Sequence, residues 1–436
     1  MGLRSRIAGL AASGPVPVFA VAGSGMRSTV QDLRLDPGVC VVDTPRAAAI
    51  LLIAGTTAAA DAEALARLHD ALPHPRATVA WQRDDPFGRR EGPAAVVVAD
   101  GDPRPALRAT FRDLLQGHRA SEPAILPDVD AVAWRDVGPY GQGGTGMTGG
   151  TPYGRPMAEL GIDRDGLRLD ILPVTLGPFF PRLPAGLVLE MKLAGDVVTD
   201  VEVVASLHSV PTPVESASPF VTALSGPVPI AELELARARD HLRWLCDALI
   251  AQGMPALGRR ALRLAHEVKG GDGDRVRAFG GQVRRSGVYR WSLPRGGGLS
   301  ADRLTGLGLG PVARAAGMAE DVRLDDEGYQ ALGFAPVVTD ADGPSGWWQV
   351  RLEEAARSLD LADRTAGRTT TIVGRVESPR GRLADGDSPT QRALALIPDL
   401  LIGLEWGDAI ATLVGLDLDL DEAAAVAPPR TLQATA

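Results

Sequence analysis

A single helical stretch limits the architectures open to this chain. Over residues 233–249, Leu235, Leu242, Leu245 and Leu249 recur near one face, with charge on the other. Glu234, Arg237 and His241 follow at i, i+3 and i+7 and line one side of the same helix. Either that side is a solvated charged face with a locally satisfied histidine, or it points inward. An inward carboxylate–guanidinium pair needs partners across a helix bundle, because lone buried charge is costly. At 436 residues the chain has room for two or three domains with cores of their own.

The N-terminal part has another rhythm. Residues 16–22 read as a buried strand ending in a Gly23-Ser24-Gly25 turn, and 39–43, 49–54, 76–81 and 94–99 are further strands. Helices are expected over 58–72, with Leu65 and Leu68 inward, and over 103–118, with Leu107, Phe111, Leu114 and Leu115 as the apolar side. Strands alternating with helices predict a small doubly wound α/β domain. Gly-x-Gly after a strand is a weak phosphate signal without the third glycine, so the turn reads as structural.

Residues 119–165 contain Gly138-Pro-Tyr-Gly-Gln-Gly-Gly-Thr-Gly-Met-Thr-Gly-Gly-Thr-Pro-Tyr-Gly154, too rich in glycine for a regular element. They form either a flexible connector or an ordered wrap along a partner, anchored by Tyr140, Met147 and Tyr153. Beyond, 167–204 alternate apolar and polar around Gly195-Asp196, which predicts a β-hairpin or meander. Helices are expected over 255–268, within 300–316 and over 347–361. The last has Val350, Leu352, Ala355, Ala356 and Leu359 inward, with Arg351, Glu353 and Glu354 outward or paired. Residues 370–381 read as β. Residues 397–420 read as a final helix with an exit strand or loop, with Asp408 in the middle. The expected division is 1–125, a connector at 126–165, and 166–436.

Bulk properties exclude some roles. A net charge of −9 argues against nucleic acid as a main partner, since neutralising phosphate needs a basic surface. The two cysteines, Cys40 and Cys246, make no disulfide framework and no cysteine-ligated cluster; both sit among apolar residues and are expected to fill core. The chain has no apolar run of 18 residues. The start, Met-Gly-Leu-Arg-Ser-Arg, is basic, but the apolar stretch after it is short and broken, so no signal peptide is read and a cytoplasmic location is expected.

Several motifs, in order, carry a resemblance. Glu234-Leu-x-Arg237-x-x-x-His241-Leu, Gly287-Val-Tyr-Arg-Trp-Ser-Leu-Pro294, Gly310-Pro311-Val-Ala-Arg314, Asp321-Val-Arg323, Val350-Arg351-Leu-Glu353-Glu354 and Glu377-Ser-Pro379-Arg380-Gly381 resemble the large, quinone-site subunit of respiratory complex I. That subunit is a relative of the NiFe-hydrogenase large subunit. Gly177-Pro178-Phe-Phe-Pro181 resembles the opening of its N-terminal sheet. Thr44-Pro-Arg46, Ile53-Ala-Gly55-Thr56, Leu72-Pro-x-Pro-Arg76 and Asp100-Gly-Asp102-Pro103-Arg-Pro105 resemble the small subunit that holds the terminal iron–sulfur cluster. The resemblance covers 16–118 and 167–422. It implies a fusion of an α/β doubly wound domain with an α+β domain, the latter a small antiparallel sheet plus a helical bundle.

The departures matter as much. The family's four cluster cysteines fall on Gly25, Ser28, Asp84 and Asp102, whereas iron in such clusters is held by thiolate. Its two quinone-loop histidines fall on Phe180 and Pro184, neither of which hydrogen-bonds through its side chain; His208 is nearby. Only a short segment, 206–229, stands where the family has long helices and the tyrosine that faces quinone. At the C-terminal metal motif, Gly415-Leu-Asp417-Leu-Asp419-Leu-Asp421-Glu422, Asp417 and Glu422 match the complex I form and Asp419 replaces the first NiFe cysteine. That acidic run could bind a hard cation, but its alternation with leucine reads better as a strand with one solvated face.

The resemblance with its wiring removed implies a redox-silent, fused peripheral subunit without cofactor. It would dock on membrane antiporter-like subunits and other peripheral subunits, on the cytoplasmic side of the cell membrane. Its role would be scaffold or coupling element for ion, proton or inorganic-carbon translocation. The expected coupling or structural charge network is Glu234, Arg237, His241, Arg314, Arg351, Glu353, Glu377, Arg380 and Asp408. A second expectation is a quinone-binding oxidoreductase subunit, with Trp347, Trp348 and Tyr289 available to stack on the ring. A third is a free-standing soluble binding protein. Whether the chain is an enzyme stays open at this point.

Overall fold

The computed structural model describes residues 11–88, 93–127, 159–162, 165–206, 218–291, 293–294, 298–341 and 343–427. Its first half comprises β1 (Val16–Ala22), α1 (Arg27–Asp32), β2 (Val39–Val41), β3 (Ile50–Ala54), α2 (Ala62–Ala71), β4 (Ala77–Trp81), β5 (Val96–Val98) and α3 (Arg104–Gln116). The strands pair parallel in the order β2-β1-β3-β4-β5. Strands β3 and β4 are buried at every position, as parallel strands covered on both faces must be. Helix α3 inserts Leu107, Phe111 and Leu114 and stops at Gly117, a left-handed cap. Because all strands run the same way, the loops after β1, β4 and β5 emerge at one edge of the sheet.

The segment after α3 stays with the first domain, inside the expected 1–125: Glu122 is buried and accepts from the backbone N–H and hydroxyl of Thr78. Asp70 likewise accepts from the N–H groups of Ile125 and Leu126. The connector, expected to run to 165, does not reach it, because β6 (Leu160–Ile162) already belongs to the next sheet. Tyr140, Met147 and Tyr153 lie outside the described residues, as does His208.

The second sheet is antiparallel, in the order β6-β7-β8-β9, with β7 (Arg168–Leu176), β8 (Leu187–Ala194) and β9 (Val197–Ser206). Gly195, at φ 64°, makes the expected hairpin turn. Leu187, Leu189, Met191, Leu193, Val198 and Val201 are buried, while Glu190, Lys192 and Asp200 face out. Around this sheet lie α4 (Pro219–Ser225), α5 (Ile230–Ala251), α6 (Pro255–Glu267), α7 (Gly273–Arg285), α8 (Pro311–Ala315) and α9 (Gly343–Asp363). The hairpin β10 (Arg375–Ser378) and β11 (Gly381–Ala384) follows, then α10 (Pro389–Leu401), α11 (Trp406–Leu416) and α12 (Leu420–Val426).

Helix α9 is the axle of this half. It packs on α5, α7, α8 and α11, so it is covered on nearly every side rather than on one stripe. Trp347 and Trp348 are 1% exposed and fill core, which removes them as platforms for a ring. Trp348 meets Trp244 and Tyr289 edge-on.

Three further expectations fail on local chemistry. The Leu/Asp alternation is no strand: Asp417, at φ 54°, caps the end of α11, and Asp419 caps the start of α12 by accepting from Glu422 N–H. Residues 397–420 are therefore the end of one helix, a second whole helix and a turn, and Asp408 sits in the first turn of α11 rather than mid-element. Cys40 is exposed on an edge strand, while Cys246 is buried as expected. No described helix is long and apolar enough to cross a membrane.

Candidate functional site

Helix α5 turns its charged side inward. Arg237 donates from Nε to Glu234 (3.3 Å) and from its two Nη atoms to the carbonyls of Ser378 (2.9 Å) and Glu377 (2.6 Å). One guanidinium thus ties α5 to strand β10. Glu234 also accepts from Arg323 (3.2 Å), the Tyr329 hydroxyl (2.7 Å) and the Ser358 hydroxyl (2.6 Å). Arg314, from α8, donates to Asp321 (2.9 Å), Glu377 (2.8 Å) and Glu354 (2.7 Å). Arg323 bonds Asp321 and Glu354 in turn, and His241 Nε2 lies 3.2 Å from Glu354.

Every one of these side chains is buried. Burial would push the Glu354 carboxyl up, but Arg314 and Arg323, with help from His241, hold it well below the usual range. Burial raises Glu234 too, and Arg237 and Arg323 more than reverse it. His241 goes the other way: burial lowers it to about 4 despite Glu354, so the imidazole is neutral near pH 7.

The structure brings Glu234, Arg237, His241, Arg314 and Glu377 into this one network. Glu353 is not a member. Its side chain is 37% exposed and pairs with Arg357 and Arg277, because one residue along a helix turns by about 100°. The inward carboxylate is its neighbour Glu354, one turn from both Arg351 and Ser358. Asp408 is also outside: among the described residues it has no ion-pair partner, and burial alone raises its pKa. Sequence reasoning named Asp321, Arg323 and Glu354 only as motif matches. The available signal was acids and arginines interrupting otherwise apolar segments.

A second cluster adjoins the first. Arg380 lies within reach of four carboxylates: Asp419 (3.1 Å), Asp417 (3.5 Å), Glu422 (3.5 Å) and Asp240 (3.9 Å). Arg351 reaches Asp417 at 3.3 Å and stacks over the Trp244 ring at 4.8 Å. Burial, helped by Asp419 and Asp240, raises Glu422 to about 8 against the pull of Arg380. Burial also lowers Arg351 to about 10. The clusters meet at β10, where the Ser378 hydroxyl donates to Glu422 while its carbonyl accepts from Arg237.

Two glycine turns fix Arg380. Gly381 has φ 138°, and a Cβ there would lie 2.1 Å from the Gly308 carbonyl oxygen; one on Gly310, at φ 46°, would lie 2.8 Å from Gly381 Cα. Gly381→Ala is accordingly expected to cost about 1–3 kcal/mol, read by chemical denaturation, from backbone strain and the forced separation of the turns. A cost near zero would show that the interlock is slack.

The two halves meet beside Arg380. Asp421 accepts from the Ser24 hydroxyl (2.7 Å) and Gly25 N–H (3.0 Å), Arg27 donates to the Leu418 carbonyl (3.0 Å), and Arg243 pairs with Asp32 (2.7 Å). A cleft of about 390 Å³ opens here, with Gly25, Ser28, Asp240, Arg380, Asp419 and Glu422 in its wall. Gly25 and Ser28, two of the four positions expected to match cluster cysteines, therefore lie across one space from Asp419 and Glu422, expected to match the NiFe motif. Asp84 and Asp102 do not line it. Both are exposed in the loops after β4 and β5, and Asp102 accepts from Arg104 Nε at 2.7 Å.

The donor set does not fit the metal groups that the resemblance would imply. Gly25 offers no ligand, Ser28 a neutral hydroxyl, and Asp102 a carboxylate already held by arginine; none is the thiolate that an iron–sulfur cluster requires. At Asp419 and Glu422 the donors are hard oxygens, and the Arg380 guanidinium already stands among them. Among the described residues, no group of three His, Cys, Asp or Glu side chains is arranged to hold a metal. Phe180 and Pro184 line an adjoining cavity with Phe19, Phe179 and Leu183, which shares Arg27, Asp247 and Asp419 with the first; its volume is about 100 Å³. That is well below the roughly 300 Å³ at which ligand pockets begin.

No protein-family model matches the chain, and no curated protein matches it. Among solved structures, a chain of the membrane-bound sulfane sulfur reductase, an archaeal respiratory membrane complex, is similar at 16% identity with a TM-score of 0.41, over 58% of this chain and 98% of that one.

Proposed function

We propose that this chain is a redox-silent peripheral subunit of a complex I-like membrane assembly, in which two ancestral subunits are fused and act as scaffold or coupling element for ion, proton or inorganic-carbon translocation. The observation that carries the reading is Arg380. A guanidinium fixed among Asp240, Asp417, Asp419 and Glu422 puts the protein's own cation at the positions where the resembling family would bind metal. In this reading the space between the halves is inherited and its electrostatics are supplied by side chains.

The motif order supports the same reading, since Glu234, Arg237, His241, Arg314, Arg323, Glu354 and Glu377, all in motifs that resemble the family, meet in the ion network. A force that rotates α5 against α9 must break the His241–Glu354 and Ser358–Glu234 bonds and the Arg323 bridge between Glu234 and Glu354 at once, so the network suits a rigid or two-position coupling part. The partners in this reading are antiporter-like membrane subunits, on whose cytoplasmic face the chain would sit. A quinone-binding role has less in its favour, because Phe180 and Pro184 supply no polar contact and Trp347 and Trp348 are committed to core.

Affinity purification of the tagged full-length chain from detergent-solubilised membranes tests the proposal. The expected result is co-purification with integral membrane subunits, and iron and nickel far below one atom per chain. Stoichiometric iron or nickel would overturn the redox-silent part. Recovery only from the soluble fraction, without membrane subunits, would overturn the assembly.

A further inference from the structure

We propose that Asp321 and Glu377 form an acid pair that shares one exchangeable proton, which makes the centre of the ion network a proton-binding site. The geometry begins at a single atom. Arg314 Nη1 lies 2.9 Å from Asp321 Oδ2 and 2.8 Å from Glu377 Oε1, so the two carboxyl groups crowd one nitrogen.

Charge bookkeeping around that point is uneven. The buried cations of this cluster are Arg237, Arg314 and Arg323; the buried acids are Glu234, Asp321, Glu354 and Glu377. Three positive charges face four carboxyl groups, and an uncompensated buried charge is strongly disfavoured. Arg351 lies one turn from Glu354 but is engaged with Asp417 in the adjoining cluster. His241, beside Glu354, is a poor host for the missing proton: its Nδ1 is buried without a partner, whereas an imidazolium has two N–H groups to satisfy.

Among the acids the proton falls to the one with the fewest donors. Glu354 meets Arg314, Arg323 and His241; Glu234 meets Arg237, Arg323, Tyr329 and Ser358. Among the described residues Glu377 accepts from Arg314 and the Val322 N–H alone. Burial first, then the charge of Asp321, raise Glu377 to about 7 against Arg314, Arg323 and Arg237. The titration belongs to the pair rather than to one residue.

Solvent can supply the proton. A second cleft, of about 180 Å³, has Glu234, Arg323, Phe334, Glu354 and Ser358 in its wall. Arg323 Nη2 is 2.7 Å from Asp321 Oδ2, so one guanidinium separates the pair from that cleft. This inference concerns the chain alone. It stands or falls without any membrane partner, so its failure is distinguishable from failure of the proposed assembly.

Infrared difference spectroscopy of the full-length chain across neutral pH tests it. A protonated-carboxyl carbonyl band should titrate near pH 7, shift in deuterium oxide, vanish in Glu377→Gln and survive in Glu422→Gln. Denaturation against pH gives an independent readout. A carboxyl raised in the folded state stabilises fully below its unfolded value, and that contribution is lost as pH rises through the folded one. Between about pH 4.5 and 7, the wild type should lose stability relative to Glu377→Gln, by on the order of 100-fold in the unfolding constant. In Asp321→Asn the band should titrate at lower pH. Parallel stability curves with no band specific to Glu377 would overturn the proposal, as would an unchanged midpoint in Asp321→Asn.

Discussion

Glu354→Ala is expected to remove about 3–5 kcal/mol of folding free energy, whereas Glu353→Ala, one residue earlier, is expected to remove about 0.5 kcal/mol or less. Glu354 bonds Arg314 and Arg323 from a site with almost no exposure. Truncation takes one carboxylate from each of two buried guanidinium groups, leaving Arg314 with Asp321 and Glu377 and Arg323 with Asp321 and Glu234, so part of the compensation for their desolvation is lost and a cavity is left. Glu353 pairs with Arg357 and Arg277 in water, where an ion pair is screened and the long side chains resist ordering. The loss at Glu354 is a large part of the 5–15 kcal/mol that holds a typical domain folded. Urea denaturation of both variants at pH 7 makes the comparison. Equal effects would mean that the helix is rotated by one position from the arrangement described.

Arg380→Ala is expected to cost a similar amount, about 3–5 kcal/mol at neutral pH, with a pH signature that Glu354→Ala lacks. Without the guanidinium, Asp417, Asp419, Glu422 and Asp240 face one another with Arg351 as the remaining close cation. Glu422 sits at about 8 even with Arg380 present, because burial dominates. Removing the cation raises Glu422 and Asp240 further and takes away the pull that holds Asp419 low. Groups that hold protons more tightly folded than unfolded lend stability that is present in acid and lost on raising the pH. The variant should therefore recover much of its deficit as pH falls from about 8 towards 5. Asp240, 37% exposed at the cleft, contributes least to this. A deficit that is the same at both pH values would contradict the crowding of these carboxylates around Arg380.

The α/β half was readable because its signals are local and agree. Strands β3 and β4 are unbroken apolar runs between turns, and α3 ends on a glycine. The antiparallel hairpin was readable from period-two alternation about Gly195-Asp196. Reading failed where burial runs against polarity. Arg351, Glu353 and Glu354 are consecutive or nearly so in a helix covered on most sides, and hydrophobicity cannot say which charge faces in. The Leu/Asp run misled for a related reason: Leu416, Leu418 and Leu420 are buried, but the aspartates between them are helix caps and Arg380 ligands rather than a solvated face. The three-residue β6 and the short α4, capped by Ser218, are too brief to stand out beside glycine- and proline-rich sequence. The network draws on positions 234 to 377, and no local window reports pairing over that span.

The bond from Ser24 to Asp421 joins positions 397 residues apart. A ribosome making this chain releases the first sheet long before the acid that clasps it exists. Residues 243 and 266, which pair with α1, come earlier, but until residue 421 has been translated the Gly23–Gly25 loop lacks the acid that bonds Ser24 and Gly25, and each nascent molecule must hold that edge in place without it for almost the whole of its synthesis.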